Sequence, residues 1–233
     1  MYDQSLLLRT LSEFSARLLS PYDVGIALKD LMERLTDVLG LDGSGVALAQ
    51  EGRLEFATAV PERLAELEMA QIEHQSGPCM DAYRSGNVVA ITDLATHRER
   101  WPEYCVVAER LGLASVAGIP MRLSGNAVGA VNLYGSGARE WPPEDLSAAI
   151  VMADMATNYL VNASKLRQQE QLNEHLVRAL DSKAIIEQAK GVVASEQNTT
   201  VDEAFSRIRT HARNHNVSIR SVAGAIMQLG LKI

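Results

Sequence analysis

The stretch Ile186-Glu187-Gln188-Ala189-Lys190-Gly191 sits between two helical segments and opens a compact, basic, helical module in the last fifty-odd residues of the chain. From Leu176 to Ile233 there are eight Lys or Arg against five Asp or Glu, a balance of +3. The whole chain of 233 residues carries −7, so its first 175 residues carry −10. An asymmetry of this kind points to a polyanion-binding end on an otherwise acidic protein. Neutralising phosphates takes clustered Lys and Arg, whatever the overall pI. Around the hexapeptide, Lys183 to Ser195 sets Ile185, Ile186, Ala189, Val192 and Val193 on one helical stripe. Gln188 and Lys190 fall on other faces, and Gly191 allows close approach of another helix or a ligand.

Downstream, Gln197-Asn198-Thr199 breaks the helix, and Thr200-Val201-Asp202-Glu203 reads as a capping box for the next one. That helix is expected to bury Val201, Ala204, Phe205, Ile208 and Ala212. Its other face presents Arg207, Arg209 and Arg213, with His211 and His215 nearby. Ser218 caps a last helix with the stripe Ile219, Val222, Ala223 and Ile226; Val217 and Val222 have the spacing of a hydrophobic staple, and Gly230 ends the helix. Three short helices in so few residues make a small core, so the module leans on the helix before it.

Upstream, no Pro or Gly interrupts Asp145 to about Ala179, which reads as one long helix. Tyr159, Leu166, Asn173 and Leu180 recur every seven residues, with Asn162, Gln169 and Leu176 between them. This leaky heptad predicts a parallel coiled coil and hence a homodimer, joined over residues of about 150–180. Nearer the start, Leu6, Leu7, Leu11, Phe14 and Leu18 have helical spacing, with Pro21 as the stop. Asp23 caps a second helix that Gly40 ends. Hairpin strands follow at 44–48 and 54–60 across Glu51-Gly52, then a helical stretch at 62–74, a short strand at 88–91, a loop at 92–100 and a helix at 103–111. A second hairpin joins 115–121 to 127–134 across Ser124-Gly125-Asn126. This order predicts an α+β fold, an antiparallel sheet flanked by helices.

Composition narrows the function. An apolar fraction of 47% is ample for packed cores. No run approaches the ~20 apolar residues that span a bilayer, and Met1-Tyr2-Asp3-Gln4 lacks the basic start of a signal peptide, so no membrane partner and a cytoplasmic location are expected. Cys79 and Cys105 cannot make a disulfide framework, and the chain has no CxxC or HExxH for zinc, no GxxxxGK[ST] phosphate loop and no GxSxG elbow. His74 and His97 are lone histidines and read as surface or capping residues. No cofactor, no metal and no catalytic residue is expected. Cys79 lies at the start of a helix, which could activate its thiol, but it reads first as a small packing residue. Trp101 and Trp141, each before a Pro, read as loop anchors.

The strands Val116-Ala117-Gly118-Ile119-Pro120-Met121 and Val128-Gly129-Ala130-Val131-Asn132-Leu133-Tyr134 resemble the closing hairpin of a GAF domain. The C-terminal strings Ile186 to Gly191, Asp202-Glu203-Ala204-Phe205, Ile208-Arg209 with Ala212, and Val222-Ala223 resemble the ANTAR domain of bacterial transcription antiterminators. The resemblance implies three parts: a GAF sensor at 1–160 with a small-molecule ligand, a helical linker at 161–175, and a three-helix RNA-binding domain at 176–233. It implies dimers that grip paired stem-loops in nascent RNA and so prevent a terminator hairpin, acting on RNA polymerase only indirectly. Carried over by position, it makes Gln188, Lys190, Arg207 and Arg209 the foremost RNA-facing residues, with Lys183, Gly191 and Arg213 beside them. Ala189 and Ala204 would let a loop base approach. Lys183 stands where the family has Arg, which keeps the charge and loses the bidentate fork. Two other classes stay open: a thiol-dependent methionine sulfoxide reductase of the GAF type, using Cys79 and Cys105, and a DNA-binding regulator. The last helix offers DNA only Arg220 and Lys232.

Overall fold

The computed structural model describes residues 2–17 and 23–233, so the expected helix end at Leu18 and Pro21 lies outside the described residues. The chain divides into two compact units, one running to Lys165 and the other Leu166–Ile233.

The first unit opens with helices α1 (Gln4–Arg17) and α2 (Val24–Leu39). The Asp23 carboxylate accepts the Ile26 N–H at the start of α2, and Gly40 closes it in the left-handed region at φ 58°. The hairpin β1 (Gly43–Gln50) and β2 (Arg53–Val60) turns on Glu51 and Gly52, both at positive φ, which matches the twist of the strands. A 3-10 turn at Glu62–Leu64 leads to α3 (Ala65–Glu73) and α4 (Pro78–Ser85). Strand β3 is only Val89–Ile91; part of the expected loop after it is a 3-10 turn, Leu94–His97, and α5 follows at Pro102–Arg110. Strands β4 (Ser115–Leu123) and β5 (Asn126–Gly135) complete an antiparallel sheet in the order β2-β1-β5-β4-β3.

Alternation along the strands gives the sheet two apolar faces. Ala117, Ile119, Met121, Val131 and Leu133 join α1, α2 and the start of α6 (Pro143–Glu196) in one core cluster. Val116 and Tyr134 point the other way, into a cluster with Leu64, Leu67, Trp101 and Tyr104 from the side of α3 and α5. The Trp141 indole donates to the Ile91 carbonyl at 3.1 Å, so this tryptophan anchors its loop as expected. Arg139 donates to the Leu39 and Gly40 carbonyls and to Asp145, tying the end of α2 to the start of α6.

The second unit packs the last part of α6 against α7 (Val201–Asn214) and α8 (Ile219–Leu229). The capping box forms as the sequence predicts, with Thr200 Oγ1 accepting the Glu203 N–H and Glu203 reaching back. Ser218 accepts the Ser221 N–H at the start of α8. Two expectations change. Val201 and Val217 are each 46% exposed, so Val201 is not core and the staple with Val222 is loose. α6 continues from Pro143 to Glu196 as one helix, where two were expected, because nothing near Ala179 to Lys183 breaks the backbone hydrogen bonds.

Candidate nucleic-acid interface

α7 carries Arg207, Arg209 and Arg213, the densest group of cations in the second unit. Its core row is Ala204, Ile208 and Ala212, all buried. An α-helix turns about 100° per residue, so Arg209 and Arg213 emerge on one flank of that row and Arg207 on the opposite flank. The single arginine face expected from sequence is therefore two faces. All three arginines are exposed, and from Ala204 to Arg220 there is no Asp or Glu. Glu203, the nearest acid on α7, is engaged by Thr199 and Thr200 at the cap.

The α6 candidates also separate. Lys190 Nζ donates to both Glu187 oxygens at 2.9 Å and lies 5.4 Å from the Phe205 ring centre, with its side chain only 14% exposed. Lys190 thus lies against α7 near the Arg209 flank. Its charge is shared with Glu187 and an aromatic face, a partly committed cation. Lys183 is exposed on the same side of α6 by helical spacing, whereas Gln188 is exposed on the other flank. Gly191 is exposed, and a Cβ added there would meet no heavy atom within 4 Å. No helix of the unit uses the room that this glycine leaves. Ala189 and Ala204 are fully buried in the core cluster. They set how closely α6 and α7 approach, and neither presents a surface to a base.

Beside Arg207, the residues Ser206, Arg207, Thr210, His211, Asn214 and Ile233 line a groove of about 360 Å³. The His211 and His215 rings stack with centres 4.1 Å apart and 21° between planes. Arg207 donates to the Gln197 side-chain oxygen, and Gln197 Nε2 donates to the Ile233 carbonyl at 2.6 Å. The spacing of Arg207, His211 and His215 was visible as a row of fours; the wall that Ile233 adds was not.

The first unit holds a different kind of site. Glu68 on α3 is fully buried, and its carboxylate accepts from Asn132 Nδ2 at 2.9 and 2.8 Å, the Tyr134 hydroxyl at 2.6 Å and Gln71 Nε2 at 2.9 Å. All three donor groups are neutral. Burial raises the Glu68 pKa above its ordinary value, against the pull of these hydrogen bonds. Gly45 on β1 makes room for it, since an added Cβ would overlap the carboxylate. The Tyr104 hydroxyl and Asn132 Oδ1 are buried with no hydrogen-bond partner among the described residues. Next to this cluster, Cys79 is fully buried, and burial together with Glu68 pushes its thiol well above the usual range. Burial also raises the Cys105 thiol. Neither cysteine has the depressed pKa of a nucleophile. Among the described residues no group of three or more His, Cys, Asp or Glu could hold a metal ion. On the α6 side of the sheet, an apolar groove of about 430 Å³ is lined by Leu48, Leu123, Val128, Leu160, Val161 and others.

Comparison with known proteins agrees with this division. The GAF domain model matches residues 23–160 and the ANTAR domain model matches residues 174–227. No curated protein matches the chain. Among solved structures, a domain of a two-component sensor histidine kinase from Sinorhizobium meliloti superposes with a TM-score of 0.55 at 13% identity, covering 64% of this chain and 99% of that one. The GAF domain of an Acinetobacter phosphoenolpyruvate-protein phosphotransferase gives 0.52 at 13% identity over 70% and 97%. A free methionine-R-sulfoxide reductase from Neisseria meningitidis, solved with its substrate, gives 0.53 at 16% identity over 71% and 95%. At these identities the likeness speaks for the fold alone. No helix among the described residues is long and apolar enough to cross a membrane.

Proposed function

Because the chain belongs to the GAF family and carries an ANTAR domain behind its GAF domain, we propose that it is a signal-responsive, RNA-binding transcription antiterminator. The observation that carries this reading is the exposed, acid-free run of arginines on α7, the one stretch where cations cluster on an acidic chain. Two copies joined through the α6 region hold paired stem-loops in nascent RNA, and a terminator hairpin that shares those bases cannot form. RNA polymerase feels the result without being touched. In support of a dimer, Leu172, Leu176, Val177 and Leu180 on α6 are 49–67% exposed, an apolar stripe without cover in one chain.

The GAF unit supplies the signal by binding a small molecule, and the apolar groove beside α6 has the volume for one. The protein is not an enzyme on this reading. Both thiols are buried with raised pKa values, which counts against the reductase chemistry open to some of its structural neighbours. The test is binding of the purified chain to paired stem-loop RNA, to a single stem-loop and to duplex DNA across a salt series. Tight binding to the paired RNA alone is expected, with the log–log salt slope falling by about one for each arginine contact removed. Equal affinity for duplex DNA would replace this reading with the DNA-binding one.

A further inference from the structure

We infer that the groove between α7 and the segment after Gly230 holds a single unstacked RNA base against the His211 ring, an inference that rests on the RNA-binding reading above. The groove has two walls of different chemistry. One is α7 itself, where Ser206, Thr210 and Asn214 form one row at four-residue spacing and Arg207 and His211 form the next. The other is Ile233, held in place by the Gln197 side chain. At about 360 Å³ the space is near the lower end of ligand pockets, roughly 300–1,000 Å³. A base with its sugar fits that scale and a helix does not.

The lining calls for a flat heterocycle and not a bare phosphate. A phosphate needs cations and N–H donors; this groove adds an imidazole face, two hydroxyls, a carboxamide and an aliphatic wall. Those are the groups that stack on a base and read its edge. The His211 ring is held for the purpose. His215 stacks on it at 4.1 Å, and His215 Nδ1 sits 2.9 Å from the His211 carbonyl. A carbonyl only accepts, so that nitrogen carries the proton and its ring is pinned. Arg207 is likewise fixed by Gln197 beside the mouth of the groove. Paired bases hide their faces in the stack, so only a loop or bulge base can enter.

The two flanks of α7 then divide the work. Arg209 and Arg213 lie on the side away from the groove, by helical spacing, and meet backbone phosphates. The groove supplies the sequence preference. This assigns His211, His215, Thr210 and Asn214 a role that neither composition nor charge indicates.

The test starts from RNA selected for binding to the full-length wild-type chain. Affinities for that RNA are measured for wild type, His211→Ala, His211→Phe and Arg209→Ala, each checked for an unchanged melt. The same RNA is also made with an abasic sugar at each loop position in turn. His211→Ala should weaken binding roughly tenfold to a hundredfold, as expected for a lost base stack, while His211→Phe, which keeps a flat ring, restores most of it. One abasic position should cause the same loss in wild type and no further loss in His211→Ala. Arg209→Ala should lower the salt slope and leave the abasic profile unchanged. Undiminished binding by His211→Ala, or additive losses with every abasic position, would overturn the groove assignment and leave the RNA reading standing. Failure to select any RNA would overturn both.

Discussion

Replacing Gly191 by Ala separates stability from binding at one atom. Glycine inside a helix costs about 1 kcal/mol relative to alanine, because the unfolded chain loses more freedom. Gly191 lies inside α6, exposed, and an added Cβ would meet no heavy atom within 4 Å. There is no clash to offset the entropy gained, so Gly191→Ala should stabilise the second unit by up to about 1 kcal/mol. For a unit of this size that raises the melting temperature by about 4–8 °C. If the missing side chain lets RNA approach α6, the same change should weaken RNA binding even as the fold tightens. Circular dichroism melts and RNA titrations on one preparation give both numbers, and light scattering shows whether the oligomeric state has changed. A more stable variant with full RNA affinity would take Gly191 out of the interface. A destabilised variant would refute the open space itself.

Three other outcomes follow from the packing. Glu68 has a raised pKa in the fold, so its favourable contribution is fully present below its unfolded value and is lost as pH rises through the folded value. Glu68→Gln should therefore gain melting temperature over wild type as pH climbs from about 4 towards neutrality, and a difference independent of pH would contradict the buried-charge account. Cys79→Ser should leave RNA binding intact, and a thiol reagent should modify Cys79 only on unfolding, because the side chain is fully buried; RNA affinity that switched on Cys79 oxidation would make it a redox sensor instead. Leu176→Asp combined with Leu180→Asp should give a monomer, with a light-scattering mass near 25.4 kDa, where wild type gives twice that; an intact dimer would move the interface away from this stripe.

Capping and turn chemistry made much of the fold legible. Asp23, Gly40, the Thr200–Glu203 box, Ser218 and the two Gly-containing hairpin turns all act locally, so their effect is written in adjacent residues. The Glu68 cluster was not legible. Its members come from α3 and β5, and a Glu on a short helix reads as solvated until Asn132 and Tyr134 arrive across the sheet. Gly45 was a partial clue, a small residue on a strand where a neighbour must enter. In the second unit, the arginines were found by charge, but their division between flanks follows from a helical angle that a count of cations does not contain. Ala189 and Ala204 show the reverse case, where residues assigned by resemblance to a surface role turn out to space two helices.

On the RNA-binding reading, this chain changes the fate of a transcript by holding paired stem-loops. Single-round transcription tests it directly, on a template whose transcript carries a selected pair of stem-loops overlapping an intrinsic terminator. Readthrough should rise with added protein, and the rise should vanish when either stem-loop is deleted or when Arg207 and Arg209 are both replaced by Ala. Readthrough that stays at its basal level with RNA bound would contradict antitermination, and a rise that survives deletion of one stem-loop would contradict the paired grip.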